Sequence, residues 1–487
     1  MPTMRREKFI ESYVQELIQG RAGVFIGAGL SMKAGYPSWK SLVTEMAEEL
    51  ELDIDREHDL AGLVQFYLNR SGKVRTRLTA VISDNFSERK PIPEVFRTLA
   101  RLPIRAIWTT NYDELIERAW AEQRLHVDVK TENHQLAVDN PAAHAVLYKM
   151  HGTITDPTKV VIARADYETY RHQRGDFINL LHSHLVSRSL LFLGLSFTDP
   201  NLHYLFTLIR EAFPDNPRQH FAIVRRPQRD GYAKGKEGNR LYEYDLRRHT
   251  LWVDDLQNYG IQCVEVANWD EIDDLMQAIE RRISFGSVLV SGSFPDALDP
   301  TLAAERAKVE AVSRAVGAHL ARDGRRLVSG FGLVVGSATL AGALDELYEE
   351  AAPNLERRLF LRPFPQSVPE GADREEHYRR YREDLVRQAG ICVIISGVTL
   401  TDGKLEPARG VRAEYEMMRA LNRIPVPVGN TGGAAAEVWA LVEADFETVF
   451  GPMPRKLFAA LNDPVLDATE TAKAVDTVLV WLAKNAI

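Results

Sequence analysis

The stretch "VFIGAGLSMKAGYPSW", residues 24–39, begins as an apolar run and breaks at two glycines separated by one alanine. Small residues at the end of a strand let the backbone of a bend approach a ligand closely, and a helix starting behind them aims N–H groups at an anion. Taken alone, Gly27 and Gly29 serve equally well for a tight strand-to-helix turn that holds only itself. No glycine-rich stretch continues into Gly-Lys-Ser/Thr, which argues against P-loop hydrolysis of ATP or GTP.

The same pattern recurs further on. "IRAIW" (104–108) breaks into "TTNYDELIERAW", "AVLYKM" (145–150) into "HGTITD", and "SLLFLGL" (189–195) into "SFTDPNLHYLFTLI". Nearly continuous apolar runs separated by helical stretches predict a parallel sheet covered on both faces. Ligands in such sheets lie beyond the carboxyl ends of the strands, which is where all four polar breaks fall. Ahead of the first strand, Phe9, Ile10, Tyr13, Val14, Leu17 and Ile18 share one helical stripe over residues 5–19. Residues 217–262 are rich in charge and read as solvated helix and loop. After "WDEIDDLMQAIERRIS" a second alternation begins, with strands at "SVLVSGS" (287–293), "RRLVSGFGLVVGS" (325–337) and "ICVIISG" (391–397). A helix at "PARGVRAEYEMMRAL" and a final strand and loop at "IPVPVGNTGG" complete it. The fold class is therefore α/β, with two tandem Rossmann-like domains at residues 1–283 and 284–487.

Bulk properties agree with a soluble globular chain. Its 487 residues suit two or three domains at roughly 100–200 residues each. A hydrophobic share of 45% and a charged share of 26% are ordinary, and a formal net charge of −8 gives no reason to expect a nucleic-acid partner. No apolar run approaches the ~20 residues of a membrane span, and the N-terminus has no apolar signal core, so no membrane association is expected. Only two cysteines, Cys263 and Cys392, are present and they lie far apart. A reducing, cytoplasmic location follows, and a four-cysteine zinc site within one chain is excluded.

Asn111 and Asp113 in "TTNYD" suit helix capping, and His151 in "MHGT" suits a strand end. Their order along the chain points further. "GAGLS", "TTNYD", "MHG" and "GLSFTDPN" follow the succession of sirtuin motifs, and residues 10–280 or so resemble that family. The resemblance implies that Ala28, Gly29 and Ser31 cradle the phosphates and ribose of NAD. It implies that Asn111 orients the nicotinamide ribose or its water, that Asp113 lies near the nicotinamide end, and that Ser196 joins the NAD-binding set. His151 takes the part of general base. Thr110 stands where sirtuins carry glutamine, and their zinc module is absent, so water is the expected acceptor. NAD is then a substrate, and no metal is required. Departure of nicotinamide leaves an oxocarbenium-like ribose, and a histidine titrating near neutrality can take a proton from the attacking group, a role worth ~10²–10⁴-fold.

In the second half, the glycines of "VSGS" and "GFGLVVGS" suggest another nucleotide cradle, or simply the turns of a Rossmann-like fold. "EEHYRRYREDLVRQ" (375–388) reads as a solvated charged helix, one or two of whose arginines could turn inward to a phosphate. These stretches resemble the SLOG family of nucleotide-sensing domains. A sirtuin-like half followed by a SLOG half, with "LRPFPQ" and "GVRAEYE" present, resembles the NADase effectors of the Thoeris anti-phage system over nearly the whole chain. That resemblance implies a homotetramer or larger assembly, activated by a cyclic ADP-ribose isomer made by a TIR-domain partner. Gly292, Ser293, Phe331 and Leu333 would line the signal pocket, Arg382 would contact phosphate, and Gly410 and Glu414 would hold a ribose. A basic residue is expected just after "ICVIISG", where this chain has Val398 and Thr399, with Lys404 a few residues later. The leading reading is a signal-gated NAD+ hydrolase; the alternatives are an NAD-dependent protein deacylase and a non-catalytic nucleotide sensor.

Overall fold

The computed structural model describes residues 3–485 except 73, 198–201, 203–205, 208–209, 211–217, 297–299, 351–353, 366–367, 369, 372 and 402–403. The chain divides into two compact units, Met1–Glu280 and Arg281–Ile487.

In the first unit, helix α1 (Arg6–Ile18) precedes the fully buried strand β1 (Ala22–Ile26). The glycine bend opens a single-turn helix α2 (Ala28–Met32). Three helices then follow, α3 (Trp39–Glu49), α4 (Leu60–Arg70) and α5 (Thr76–Phe86). Ser38 Oγ accepts from Ser41 N at 3.0 Å to start α3, and Asp59 Oδ1 accepts from Gly62 N at 2.8 Å to start α4. Their apolar faces, including Leu42, Met46, Leu63, Val64 and Ile82, form a separate cluster with Tyr112, Val160 and Ile162. This insertion therefore rests on the loops that carry Tyr112 and Val160.

Helix α6 (Glu94–Arg101) leads to β2 (Ala106–Thr109), then α7 (Leu115–Glu122), β3 (Val127–Lys130), β4 (Ala145–Lys149), α8 (Arg164–Ser187) and β5 (Ser189–Leu193). Two further strands, β6 (His220–Arg225) and β7 (Ile261–Val266), flank the helix Lys236–Gln257. All seven strands run parallel in the order β3-β4-β2-β1-β5-β6-β7. The chain leaves β1 toward β2 on one side and returns to β5 on the other, so β1 sits at a topological switch point.

The charged stretch 217–262 is thus only partly the solvated helix and loop expected of it. "HFAIVR" is an inner strand with five buried residues, and "IQCVEV" opens as the edge strand with partly exposed Gln262 and Glu265. Both were masked by their charged neighbours, and β7 by its period-two polar positions. The helix start at "SFTDPNLHYLFTLI" lies largely outside the described residues.

The second unit is a five-stranded parallel sheet in the order β10-β9-β8-β11-β14. Its strands are β8 (Ser287–Ser293), β9 (Arg326–Ser329), β10 (Leu359–Leu361), β11 (Ile391–Ser396) and β14 (Ile424–Val428). A separate antiparallel hairpin joins β12 (Val398–Thr401) to β13 (Lys404–Pro407). Here the switch point lies between β8 and β11. Cys263 and Cys392 are buried free thiols, and burial pushes Cys263 up to about 12, leaving it unreactive. Among the described residues, no helix is long and apolar enough to cross a membrane, and no His/Cys/Asp/Glu group could hold a metal ion.

Candidate functional sites at the two switch points

Strand register aligns the four breaks of the first unit. Ile26 of β1 pairs with Thr109 of β2 and with Leu193 of β5, and Thr109 pairs with Lys149 of β4. Gly27, Thr110, Met150 and Gly194 therefore all begin their loops at one level of the sheet. Asn111 and His151 each lie two residues beyond the same strand pair.

The glycines at the bend are accounted for by the turn itself. Gly27 N donates to Leu193 O at 2.8 Å and Gly29 N to Gly194 O at 2.9 Å. A Cβ on Gly27 would stand 2.5 Å from Gly194 O, and one on Gly29 would stand 2.9 Å from Gly194 Cα. Gly194 has φ +63°, and a Cβ there would stand 2.5 Å from Leu30 N. Three glycines thus interlock two turns, and the Gly29 N–H is committed to that contact. Ala28 and Gly29 are half-buried, and Ser196 is exposed on the β5 loop.

Three polar side chains converge beside this turn. Asn111 Nδ2 donates to Ser31 Oγ at 2.9 Å, and Ser31 Oγ donates to Asp113 Oδ2 at 2.7 Å. The other Asp113 oxygen accepts from Leu115 N at 3.0 Å, so Asp113 caps the start of α7 as well as holding Ser31. Thr109 Oγ1 accepts from Asn111 N and donates to Ile26 O, fixing the backbone at the exit of β2. With its amide nitrogen held, Asn111 turns Oδ1 into a buried position where it has no hydrogen-bond partner. A buried carbonyl oxygen with nothing to accept is costly unless something brings a donor to it.

His151 is 4% exposed and lies edge-on to two rings, with centroids 5.6 Å away at Tyr167 and 6.1 Å at Tyr170. Its carbonyl accepts from Val161 N at 3.0 Å. Sequence reading passed over the groups that hold this loop. Met150 O accepts from Tyr170 Oη at 2.9 Å and from Arg174 Nη1 at 3.2 Å. Lys149, 1% exposed, spans from β4 to the segment after Asn111. A lysine in "AVLYKM" looks like a solvated strand end, and only the register reveals that it points at a neighbouring turn.

At the second switch point, the seven expected residues gather around the end of β8. Phe294 N donates to Leu333 O at 2.9 Å, and a Cβ on Gly332 would stand 1.9 Å from Gly292 O, so the two glycine-rich turns abut. Phe331 and Val334 take left-handed conformations, with φ of 58° and 62°, a strain that close contact must hold in place. The Leu333 side chain itself is exposed. Ser293 Oγ donates to Val398 O at 3.1 Å.

Glu414 accepts from Ser291 Oγ at 2.6 Å, and its second oxygen lies 3.9 Å from Arg382 Nε. Burial pushes its carboxyl above the usual range, while Ser291 and Arg382 pull it back. The Arg382 guanidinium lies over Phe364 at 4.9 Å and Tyr378 at 5.9 Å, and its buried Nε has no hydrogen-bond partner. Gly410 makes room for it, since a Cβ there would stand 2.8 Å from Arg382 Nη2. Ser291, Phe364 and Tyr378 escaped the sequence reading because their roles depend on where Arg382 points. Past "ICVIISG", Val398 starts the hairpin, and Lys404 stands opposite Thr401, both exposed.

Two family models match this chain. A SIR2-like domain covers residues 105–247, and the Sir2- and TIR-associating SLOG family covers residues 271–483. Similar curated proteins include the NAD(+) hydrolase ThsA of Bacillus cereus (strain MSX-D12), 36% identical over 96% of this chain and 97% of that one. The NAD(+) hydrolase ThsA of Enterococcus faecium is 34% identical over 94% and 95%, and that of Acinetobacter baumannii (strain 532279) 32% identical over 96% and 98%. The Defense-associated sirtuin 2 of Bacillus subtilis is 26% identical over 44% of this chain and 22% of its own.

Proposed function

The chain belongs to the ThsA family of NAD(+) hydrolases, and we propose how its two units divide that work: the first cleaves NAD+ to nicotinamide and ADP-ribose, and the second reads a nucleotide signal. The observation that carries the first assignment is Asn111 Oδ1, buried without a partner while Ser31 holds the amide nitrogen. An oxygen so placed accepts a hydrogen bond from the attacking water or a ribose hydroxyl.

The reaction then follows from charge. Breaking the bond between ribose C1′ and the nicotinamide nitrogen leaves positive charge on the sugar, and the pyridinium departs as neutral nicotinamide. Asn111 orients the nucleophile, and its carbonyl dipole points negative toward that charge. His151 takes the proton from water as its oxygen bonds to C1′. Ala28, Gly29 and Ser196 supply small or polar contacts for the dinucleotide at the switch point, with Ser31 and Asp113 acting through Asn111. Nothing in these steps calls for a metal.

In the second unit, Gly292, Ser293, Phe331 and Leu333 form one wall, and Arg382, Gly410 and Glu414 the other. A guanidinium over two rings suits a phosphate, and a carboxylate suits ribose hydroxyls, which is the chemistry of a cyclic ADP-ribose isomer. A TIR-domain enzyme as its source fits the family described as Sir2- and TIR-associating. NAD+ loss in defence against phage, carried out by a homotetramer or larger assembly, completes the reading. The signal switches on hydrolysis to the extent that it binds the active state more tightly than the resting one.

The test follows nicotinamide and ADP-ribose by chromatography, with and without cyclic ADP-ribose isomers, beside Asn111→Ala and His151→Ala. Isomer-dependent release that falls by about 10²-fold or more in both variants supports the assignment. Undiminished release in either variant overturns it.

A further inference from the structure

Lys149 ends β4, and its ammonium is buried at 1% exposure. Nζ donates to Asp113 O at 2.5 Å, to Tyr112 O at 3.3 Å and to Glu117 Oε1 at 2.8 Å. Three donors meet three acceptors, so the charge is fully used. As a stabilising device alone this would be poor design, because a buried pair gains little over apolar side chains of the same volume. What distinguishes it is which groups it holds. Two of its acceptors are backbone oxygens of the residues directly after Asn111, and Lys149 itself stands two residues before His151.

The His151 side of this link is clamped separately. Tyr170 and Arg174 both donate to Met150 O, and Arg174 also reaches Thr131 O at 2.8 Å and Lys159 O at 2.9 Å. Met150 N donates to Thr109 O at 3.1 Å. The loop of His151 is thereby fixed to α8 and β2. The turn of Asn111 and Asp113 meets that loop through Tyr112, whose carbonyl accepts from Ile154 N at 2.9 Å and whose Oη donates to Val161 O at 2.8 Å, and the lysine ties the Asp113 carbonyl to β4.

We propose that Lys149 is a positioning residue for NAD+ cleavage, setting the span between the Asn111 amide and the His151 ring without touching substrate. This rests on Asn111 and His151 being the reacting pair. A displacement of about 1 Å at such a pair costs ~10²-fold in rate.

The experiment measures kcat, KM for NAD+ and Tm of the full chain under activating conditions for Lys149→Met, Lys149→Arg and Glu117→Gln. Lys149→Met matches the length of the side chain and removes the donor to Asp113 O, while Tyr112 O keeps its bond from Ile154 N, and it is expected to lower kcat about 10- to 100-fold with little change in KM. Lys149→Arg keeps donors for both carbonyls at an altered reach and falls between Lys149→Met and the natural enzyme. Glu117→Gln still accepts from Nζ and keeps kcat close to that of the natural enzyme, whatever its Tm. A folded Lys149→Met with lowered Tm and unchanged kcat makes the lysine merely structural and overturns the proposal. If Lys149→Met does not fold, Lys149→Arg decides: a lower kcat at unchanged KM supports the proposal, and natural kcat overturns it. Asn111→Ala and His151→Ala run alongside. Activity retained in those two removes the premise itself, a failure distinct from one confined to Lys149.

Discussion

Lys149 and Glu414 are both buried ionisable groups, the first at the end of β4 and the second on the helix Arg409–Ala420 against Ser291 of β8, and the two units treat them in opposite ways. Around Lys149 every donor has a close acceptor, and the neighbouring backbone is clamped from α8. Around Glu414 one oxygen has a short bond to Ser291, while the other faces a guanidinium 3.9 Å away whose Nε has no hydrogen-bond partner. The first arrangement is preorganised, which is what stabilising a transition state demands. The second leaves binding capacity open, which is what a site needs if a ligand is to favour one state over another.

The largest effect expected from breaking this contrast is at Ser31. Its hydroxyl holds the Asn111 amide and is held by Asp113, so Ser31→Ala frees both. A fall in kcat of about 100-fold, with Tm little changed, is expected. Retained kcat would mean that Asn111 is placed by its backbone alone.

Next comes Arg382→Ala, which removes the cation over Phe364 and Tyr378. Calorimetric titration with a cyclic ADP-ribose isomer should show affinity weakened about 10- to 100-fold, the worth of a charge-assisted bond. Equal affinity would show that the phosphate lies elsewhere.

Gly194→Ala tests the interlocked turns rather than the chemistry. Left-handed backbone costs about 1–2 kcal/mol for an alanine, and the new Cβ would meet Leu30 N at 2.5 Å. Denaturant unfolding should show at least that loss in the first unit. An unchanged midpoint would mean that the turns separate readily, and the glycines would again need a ligand to explain them.

This last point shows what the sequence could and could not reveal. The strands at 22–26, 287–293 and 391–396 are legible because their apolar runs end abruptly at Gly or Ser. The bend at Gly27 and Gly29 is legible as a place without side chains, but a ligand and a second turn both demand that absence. Only the pairing of β1 with β5 brings Gly194 to it and separates the two causes. Lys149, Arg174 and Ser291 were hidden for a related reason: their partners sit on adjacent strands or distant helices, and no local spacing encodes strand register. The insertion α3–α5 went unread because its helices cover loops rather than the sheet.

The smallest effect concerns a half-buried carboxyl, again in the second unit. Asp476, on the helix Ala468–Asn485, is pushed up to about 7 by burial and by a hydrogen bond with Asp323, while Arg325 and Arg322 pull the other way. A carboxyl raised in the folded state keeps its proton there more tightly than in the unfolded chain. Its contribution is therefore fully present below the unfolded value of 3.8 and is lost as pH rises through about 7. Asp476→Asn cannot ionise and escapes that loss. The variant should match the natural chain in Tm near pH 4, then gain on it by a few degrees at most as pH rises toward 8, because the group is partly open to solvent. A constant difference across that range would mean that Asp476 is ionised throughout in the folded chain. The contrast drawn from Glu414 would then be a property of the signal pocket alone and not of the second unit's handling of carboxyl groups.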